Sequence, residues 1–368
     1  MKNVLLSILA LGLMAVCCVS CEKNSTPSPP QGNYEVNGAY YKPSTGTDMT
    51  CEFTHIVKED WNSEIDPQDV TISYTVPETV EIDGKRYTVV SIGSSAFNSF
   101  YKMKSVNLPQ TITSIGDNAF PGCVSLTSID IPESVTSIGD GAFYGCSALS
   151  SIKIPANVSR LGYGVFSNCT SLESITLSEG LASLGDGMFE GCTSLKTITL
   201  PASLTNMGEN VFQGCTGLKS LKVSCKEIGK NAFAGMEYLT ELTLGDGVET
   251  IGENAFSSLR SLTEITIPNS VKTIEKFAFS GCEKVKSLTI GSGVTYIGAG
   301  AFAGCSVMKD VYCYAETVPE IPTSQDSMDG PPFEWWHDEN TTLHVPTASV
   351  AAYKAHKEWG QFKNIVAM

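Results

Sequence analysis

The chain has 368 residues, 42% of them hydrophobic and 17% charged, which is enough apolar material for a core and enough length for several domains or one long repeat array. Its 24 Lys and Arg face 39 Asp and Glu, a formal charge of −15, which argues against a binder of duplex DNA or RNA and against docking on anionic headgroups through basic patches. Four histidines leave little for imidazole catalysis or a His-rich metal site.

Residues 1–20 read as a secretory signal: Lys2 supplies the short positive region, and Val4 to Val19 form an apolar run broken only by Ser7 and Gly12. Such a run falls short of the roughly 20 residues a membrane span needs. Ser20 then precedes Cys21, an arrangement that resembles the bacterial lipobox, with Cys18 where that motif prefers Leu. The resemblance implies cleavage before Cys21 and lipidation of its thiol. Cys17 and Cys18 are rival acceptors, and an ordinary cleaved signal without lipid stays open. Residues 21–32 then comprise the lipidated Cys and a polar, Pro-rich tether with nothing to pack.

Residues 33–90 carry alternating runs such as Val70 to Val76, and Asp83-Gly84 is a hairpin signal between Val80–Ile82 and Tyr87–Val90. They are assigned to an N-terminal β cap.

From 91 to 315 the chain is periodic. Phenylalanines fall at 97, 120, 143, 166, 189 and 212, and again at 233, 256, 279 and 302, each 23 residues after the last except for the step of 21 between Phe212 and Phe233. A fixed period of this length means a solenoid. Within a unit, Leu126, Ile129 and Ile131 mark a short strand that Pro132 stops, because proline has no backbone donor. Val135 and Ile138 lie on a return limb, and Gly139 allows a turn. The Ala-Phe-x-Gly-Cys segment is expected to form one turn of α- or 3-10 helix, its Phe pointing inward. Stacked units bury Phe on Phe and Ile on Ile.

Cysteines 123, 146, 169, 192, 215, 282 and 305 share one place in the repeat, which is Phe100, Met236 and Leu259 elsewhere. Exchange with apolar residues marks that place as reduced core. Beyond the signal segment no close Cys pair of the kind zinc needs occurs, so no metal site and no cofactor are expected.

The motif Leu-x-x-Ile-x-Ile-Pro-x-x-Val-x-x-Ile-Gly-x-x-Ala-Phe-x-Gly-Cys, repeated from about Val90 to Cys313, resembles the BspA-type leucine-rich repeat. Residues 76–93 are similar to the hairpin that opens such arrays, and Leu343–Pro346, Tyr353, Lys354, Trp359 and Phe362 to their closing segment. The fold this implies is an α/β repeat solenoid: a right-handed superhelix with short parallel strands on the concave face and short helical turns on the convex one. Such proteins are typically surface-exposed or secreted, and some are described as adhesins that bind fibronectin or fibrinogen.

Two candidate binding surfaces follow. One is the outward strand row, comprising Asn107 and Asp130 and then the ligand-binding candidates Lys153, Thr176, Thr199, Lys222, Thr243, Thr266, Thr289 and Tyr312. Two residues earlier in each unit runs a companion row, mostly Ser with Glu241, Glu264 and Asp310. The row is either a polar array for an extended peptide or glycan, or hydroxyl filler suited to strands. The second candidate is the loop around Phe333, Trp335 and Trp336, within a C-terminal loop and cap over 316–368. Its aromatics either stack on sugars or anchor a protein, or they cover the last turn. Ser349 to Trp359 reads as a short helix, with Val350 and Tyr353 toward that last turn.

There is no G-x-S-x-G, H-E-x-x-H or phosphate-loop motif, so an enzyme is not expected. The expected protein is a monomer, lipid-anchored outside the cytoplasm at the outer membrane or cell surface. It binds a host or matrix protein, with a glycan-binding module and then a structural envelope component as alternatives, and no nucleic acid.

Overall fold

The computed structural model describes residues 32–45, 47–56, 72–321, 333 and 341–368. They form a parallel-strand solenoid of about eleven turns with very little helix. The turns stack along three ladders, of which the first is paired in four stretches and the second in two.

The first ladder holds the strands that proline stops. It comprises Ile72–Thr75, Met103–Asn107 and Ser128–Ile129, then Ser151–Lys153 to Thr197–Ile198, then Ser220–Val223 with Glu241–Leu244, and finally Glu264–Ile267 through Asp310–Cys313 to Thr342–Val345 and Asn364–Ala367. Every pairing in it is parallel and most keep residue-for-residue register, as in Ser287 beside Asp310 and Leu288 beside Val311. The second ladder stacks the two-residue strands of the return limb, such as Ser114–Ile115, Ser137–Ile138 and Thr273–Ile274.

The third ladder replaces the helical turn expected around each Phe. In one unit Asn118 and Gly122, two residues before and two after Phe120, lie in the left-handed region at φ 48° and 66°. A right-handed helix cannot pass through two such residues four apart. The backbone donors therefore go sideways to the next turn: Asn118 N–H to Asp140 O at 2.7 Å, Phe120 N–H to Ala142 O at 2.8 Å, and Gly122 N–H to Tyr144 O at 2.7 Å.

Phe side chains project inward from this ladder and stack. Twelve rings form one column, from Phe53 through the ten periodic phenylalanines to Phe333, with centroids 4.7–5.8 Å apart and planes within 18° of parallel. The ten periodic rings are fully buried. Beside them runs the cysteine column, also buried, in which each thiol reaches the carbonyl of the Phe one turn back: Cys123 Sγ to Phe97 O at 3.2 Å, Cys169 Sγ to Phe143 O at 3.2 Å, Cys215 Sγ to Phe189 O at 3.1 Å. Burial pushes the Cys123 and Cys192 thiols up to about 12, so they stay protonated and unreactive.

The 21-residue step is a shortened corner between the first two ladders. Three residues join Ser220–Val223 to Glu227–Ile228, where five join Glu264–Ile267 to Thr273–Ile274. Cys225 turns inward at this corner and is buried. The following corner, Gly245-Asp246-Gly247, lies directly on Ser224: a Cβ on Gly247 would collide with the Ser224 carbonyl oxygen, and one on Gly245 with its hydroxyl.

The two ends are turns in disguise. Thr50–Ile56 pairs parallel with Lys85–Ile92 in the second ladder, Ile72–Thr75 opens the first ladder, and Phe53 opens the ring column. Thr79–Ile82 and Lys85–Ile92 form a hairpin through Asp83-Gly84, both at positive φ. At the other end Trp359, fully buried, closes the ring column against Phe333 at 5.1 Å and donates its indole N–H to Pro319 O at 3.1 Å. Tyr353 on the short helix Val350–Ala355 is also buried and donates to Ala315 O at 2.8 Å.

Candidate functional site

The outward row of the first ladder emerges as a continuous register column at each stretch of paired strands. Lys153 lies beside Thr176, Lys222 beside Thr243, and Thr266, Thr289, Tyr312 and His344 follow one another on successive turns. The alternation that buries Ile152, Leu221, Ile265 and Leu288 turns these neighbours outward. Lys153, Thr176, Thr199, Lys222, Thr243 and Thr266 are exposed, and Thr289 and Tyr312 are half-buried.

Tyr312 is half-buried because His344 stacks on it, with centroids 4.4 Å apart and planes 16° from parallel. His344 Nε2 is in turn 3.1 Å from Asp310 Oδ1. This Asp-His-Tyr cluster brings together two residues of the rows read from sequence and one that the reading missed. His344 lies 32 residues after Tyr312, outside the period, so only the parallel pairing of Thr342–Val345 on Asp310–Cys313 reveals it as the next member of the row.

Two ion pairs fasten the row's first half: Lys153 to Glu133 and Lys196 to Glu173, each at 2.8 Å. All four side chains are well exposed, so these pairs orient side chains more than they stabilise the fold.

The loop candidate divides. Phe333 is not a ligand-facing residue: it is 8% exposed, stacks on Phe302 at 5.8 Å, and meets Phe362 edge-on at 5.3 Å. The exposed end of the Phe column needs one more ring to cover it, and Phe333 supplies that ring. Trp335 and Trp336 lie outside the described residues, as does the lipidation candidate Cys21. Among the described residues no group of His, Cys, Asp or Glu gathers to hold a metal, and no helix is long and apolar enough to cross a membrane.

Three ladders, a Phe column and a Cys column define a leucine-rich-repeat solenoid of one particular kind. The family model described as BspA type leucine rich repeat region matches residues 90–219 and 217–324 in six copies, and the chain belongs to that family. Among solved structures it is similar to a leucine-rich repeat protein from Bacteroides ovatus, at 26% identity over 78% of this chain and 99% of that one, with a TM-score of 0.36. It is also similar to a leucine rich cell surface protein from Faecalibacterium prausnitzii, at 24% identity over 81% and 97% with a TM-score of 0.44. A third similar structure is the pneumococcal vaccine antigen PcpA, at 21% identity over 92% and 99% with a TM-score of 0.54. Comparison with curated proteins returns no match.

Proposed function

We propose that this chain is a surface-displayed binding solenoid that recognises a host or matrix protein along the outward row of its first ladder, held at the membrane through lipid on Cys21. The observation that carries the reading is the row itself: side chains stand in register at Lys153 and Thr176, at Lys222 and Thr243, and along Thr266, Thr289 and Tyr312, and those from Lys153 to Thr266 are exposed. A line of side chains spaced about 4.8 Å apart suits an extended or flat macromolecule better than a small molecule. Its chemistry of hydroxyls, two lysines and a terminal Tyr-His stack supports recognition through hydrogen bonds and one aromatic anchor. The leader-like residues 1–20 and membership of the family support an extracytoplasmic address.

The test is a pull-down from extracellular-matrix extract with purified residues 22–368, before and after enzymatic deglycosylation of the extract, with retained species identified by mass spectrometry. A matrix protein retained in both runs and lost with Lys222→Glu/Thr266→Arg supports the reading. Retention lost on deglycosylation moves the assignment to a glycan. Retention unaffected by the double substitution removes the row from the site. For the anchor, metabolic labelling with a tagged fatty acid should mark the full chain and not Cys21→Ala; equal labelling of both rejects Cys21.

A further inference from the structure

The face opposite in chemistry to the strand row is the one that carries the Phe turns. Its first half joins two features. Large aromatic rings stand in solvent: Tyr163 is 60% exposed and Tyr144 48%. The same face is also purely acidic. The five turn segments 117–125, 140–148, 163–171, 186–194 and 209–217 contain Asp117, Asp140, Asp186, Glu190 and Glu209 and not one Lys or Arg.

Tyr144 stands on the turn before Tyr163. Gly141 lies between their backbones: its N–H donates to Tyr163 O at 2.7 Å, and a Cβ built on it would sit 3.7 Å from the Tyr144 Cβ. Tyr163 occupies the repeat place that is Asp140 one turn before and Asp186 one turn after. Its own N–H is held by Asp140 Oδ1 at 2.9 Å, and its ring leans toward the next turn, 3.1 Å from where a Cβ on Gly185 would lie. Asp186 Oδ1 likewise holds Glu209 N–H at 2.9 Å. Each aspartate uses one oxygen to fasten the backbone and forms no ion pair with any described basic side chain.

The geometry points to this Asp140-Tyr163-Asp186 cradle, with Tyr144 exposed on the preceding turn, as a docking surface for an arginine-bearing polypeptide segment. The two carboxylates stand two turns apart, about 10 Å, with an aromatic ring between them. A guanidinium lying on that ring, within about 6 Å of its centre, meets π density beneath and a carboxylate to either side. Guanidinium suits the place better than ammonium because its plane stacks on the ring while its edge donates to carboxylates. The charge of the face excludes an acidic partner, and the exposed tyrosines are the residue type that anchors protein interfaces. This surface is separate from the strand row, and its test is independent of that reading.

The probe is a fluorescein-labelled peptide with arginines alternating with glycines, compared with its citrulline counterpart, which keeps the shape and loses the charge. Anisotropy titrations use purified residues 22–368 at about 50 mM salt, where screening is modest. D140N/D186N should weaken binding about fivefold. The asparagine oxygens still accept the backbone N–H groups, so the thermal midpoint should stay in place. Y163A should weaken binding about threefold and Y163F should restore it. E78Q/E81Q removes the same two charges at the distant hairpin and should stay within about twofold of the parent. The inference is overturned if the arginine peptide does not bind, if the citrulline peptide binds as well, if E78Q/E81Q costs as much as D140N/D186N, or if Y163A has no effect.

Discussion

The turns before Phe212 and those after Phe233 share one core but are laced together differently at the surface. In the first set, carboxylates of one turn accept backbone N–H groups of the next: Asp117 from Asp140, Asp140 from Tyr163, Asp186 from Glu209, each at 2.9 Å. In the second set, charges alternate in sign down a column. Lys230, Glu253 and Lys276 are joined at 3.2 and 3.8 Å, Glu237, Arg260 and Glu283 at 2.7 and 3.5 Å, and Lys226 meets Glu249 at 3.6 Å. Away from the pairs Lys153–Glu133 and Lys196–Glu173, the first half therefore keeps the carboxylates of its Phe turns available to a partner, while the second half pairs its charges. Stability is common to both halves because it resides in the columns; recognition differs because it resides at the surface.

The strongest way to break this comparison is through the shared core. Phe189→Ala and Phe256→Ala each empty one place in the ring column and should each cost about 3–5 kcal/mol, one on either side of the short corner. Denaturant unfolding should show one cooperative transition shifted equally by both. Two separate transitions would mean the halves are distinct folding units.

The corner between the halves comes next. Gly247→Ala pushes a Cβ into the Ser224 carbonyl and should cost about 1–3 kcal/mol. An unchanged midpoint in denaturant would show that the two corners move apart without penalty.

The surface ties should separate the halves. Asp140→Ala removes an acceptor from Tyr163 N–H and should cost about 1 kcal/mol, largely recovered by Asp140→Asn. Arg260→Ala breaks two exposed ion pairs and should cost less than about 1 kcal/mol, a difference that fades in high salt. Equal salt sensitivity of the two variants would erase the distinction drawn here.

The cysteines of the first half should make stability depend on alkaline pH. Burial pushes the thiols of Cys123, Cys146, Cys169 and Cys192 well above those of an unfolded chain, so their contribution is complete below about pH 8.5 and is lost as pH climbs toward 12, because the unfolded chain releases protons first. Replacing Cys146 and Cys169 by Ala should flatten that alkaline decline, measured as unfolding free energy against pH.

Much of this architecture is legible from residue spacing alone. The Phe and Cys periods, the proline stops and the Asp83-Gly84 hairpin all express local chemistry repeated at a fixed interval. The outward strand row was equally readable, since alternation within a strand turns Lys222 and Thr266 away from the buried Leu221 and Ile265. The helical turn expected around each Phe was not, because residues such as Asn118 and Gly122 each tolerate the left-handed region, and only ladder bonding to the next turn selects it. The site residues divide in the same way. Tyr312 could be placed from its period, but its stacking partner His344 could not.

What the amino-acid sequence determined by itself is the repeating unit: which side chains are apolar, how far apart they recur, and where the chain must bend. These follow from propensities and periodicity that act over a few residues. What only the tertiary structure decided is where the array ends and what stands beside what. Phe53 precedes Phe97 by 44 residues and Phe333 follows Phe302 by 31, yet both join the ring column. An open column end exposes an aromatic face to water, and any ring that the folded chain can bring there gains by covering it, whatever its distance in sequence.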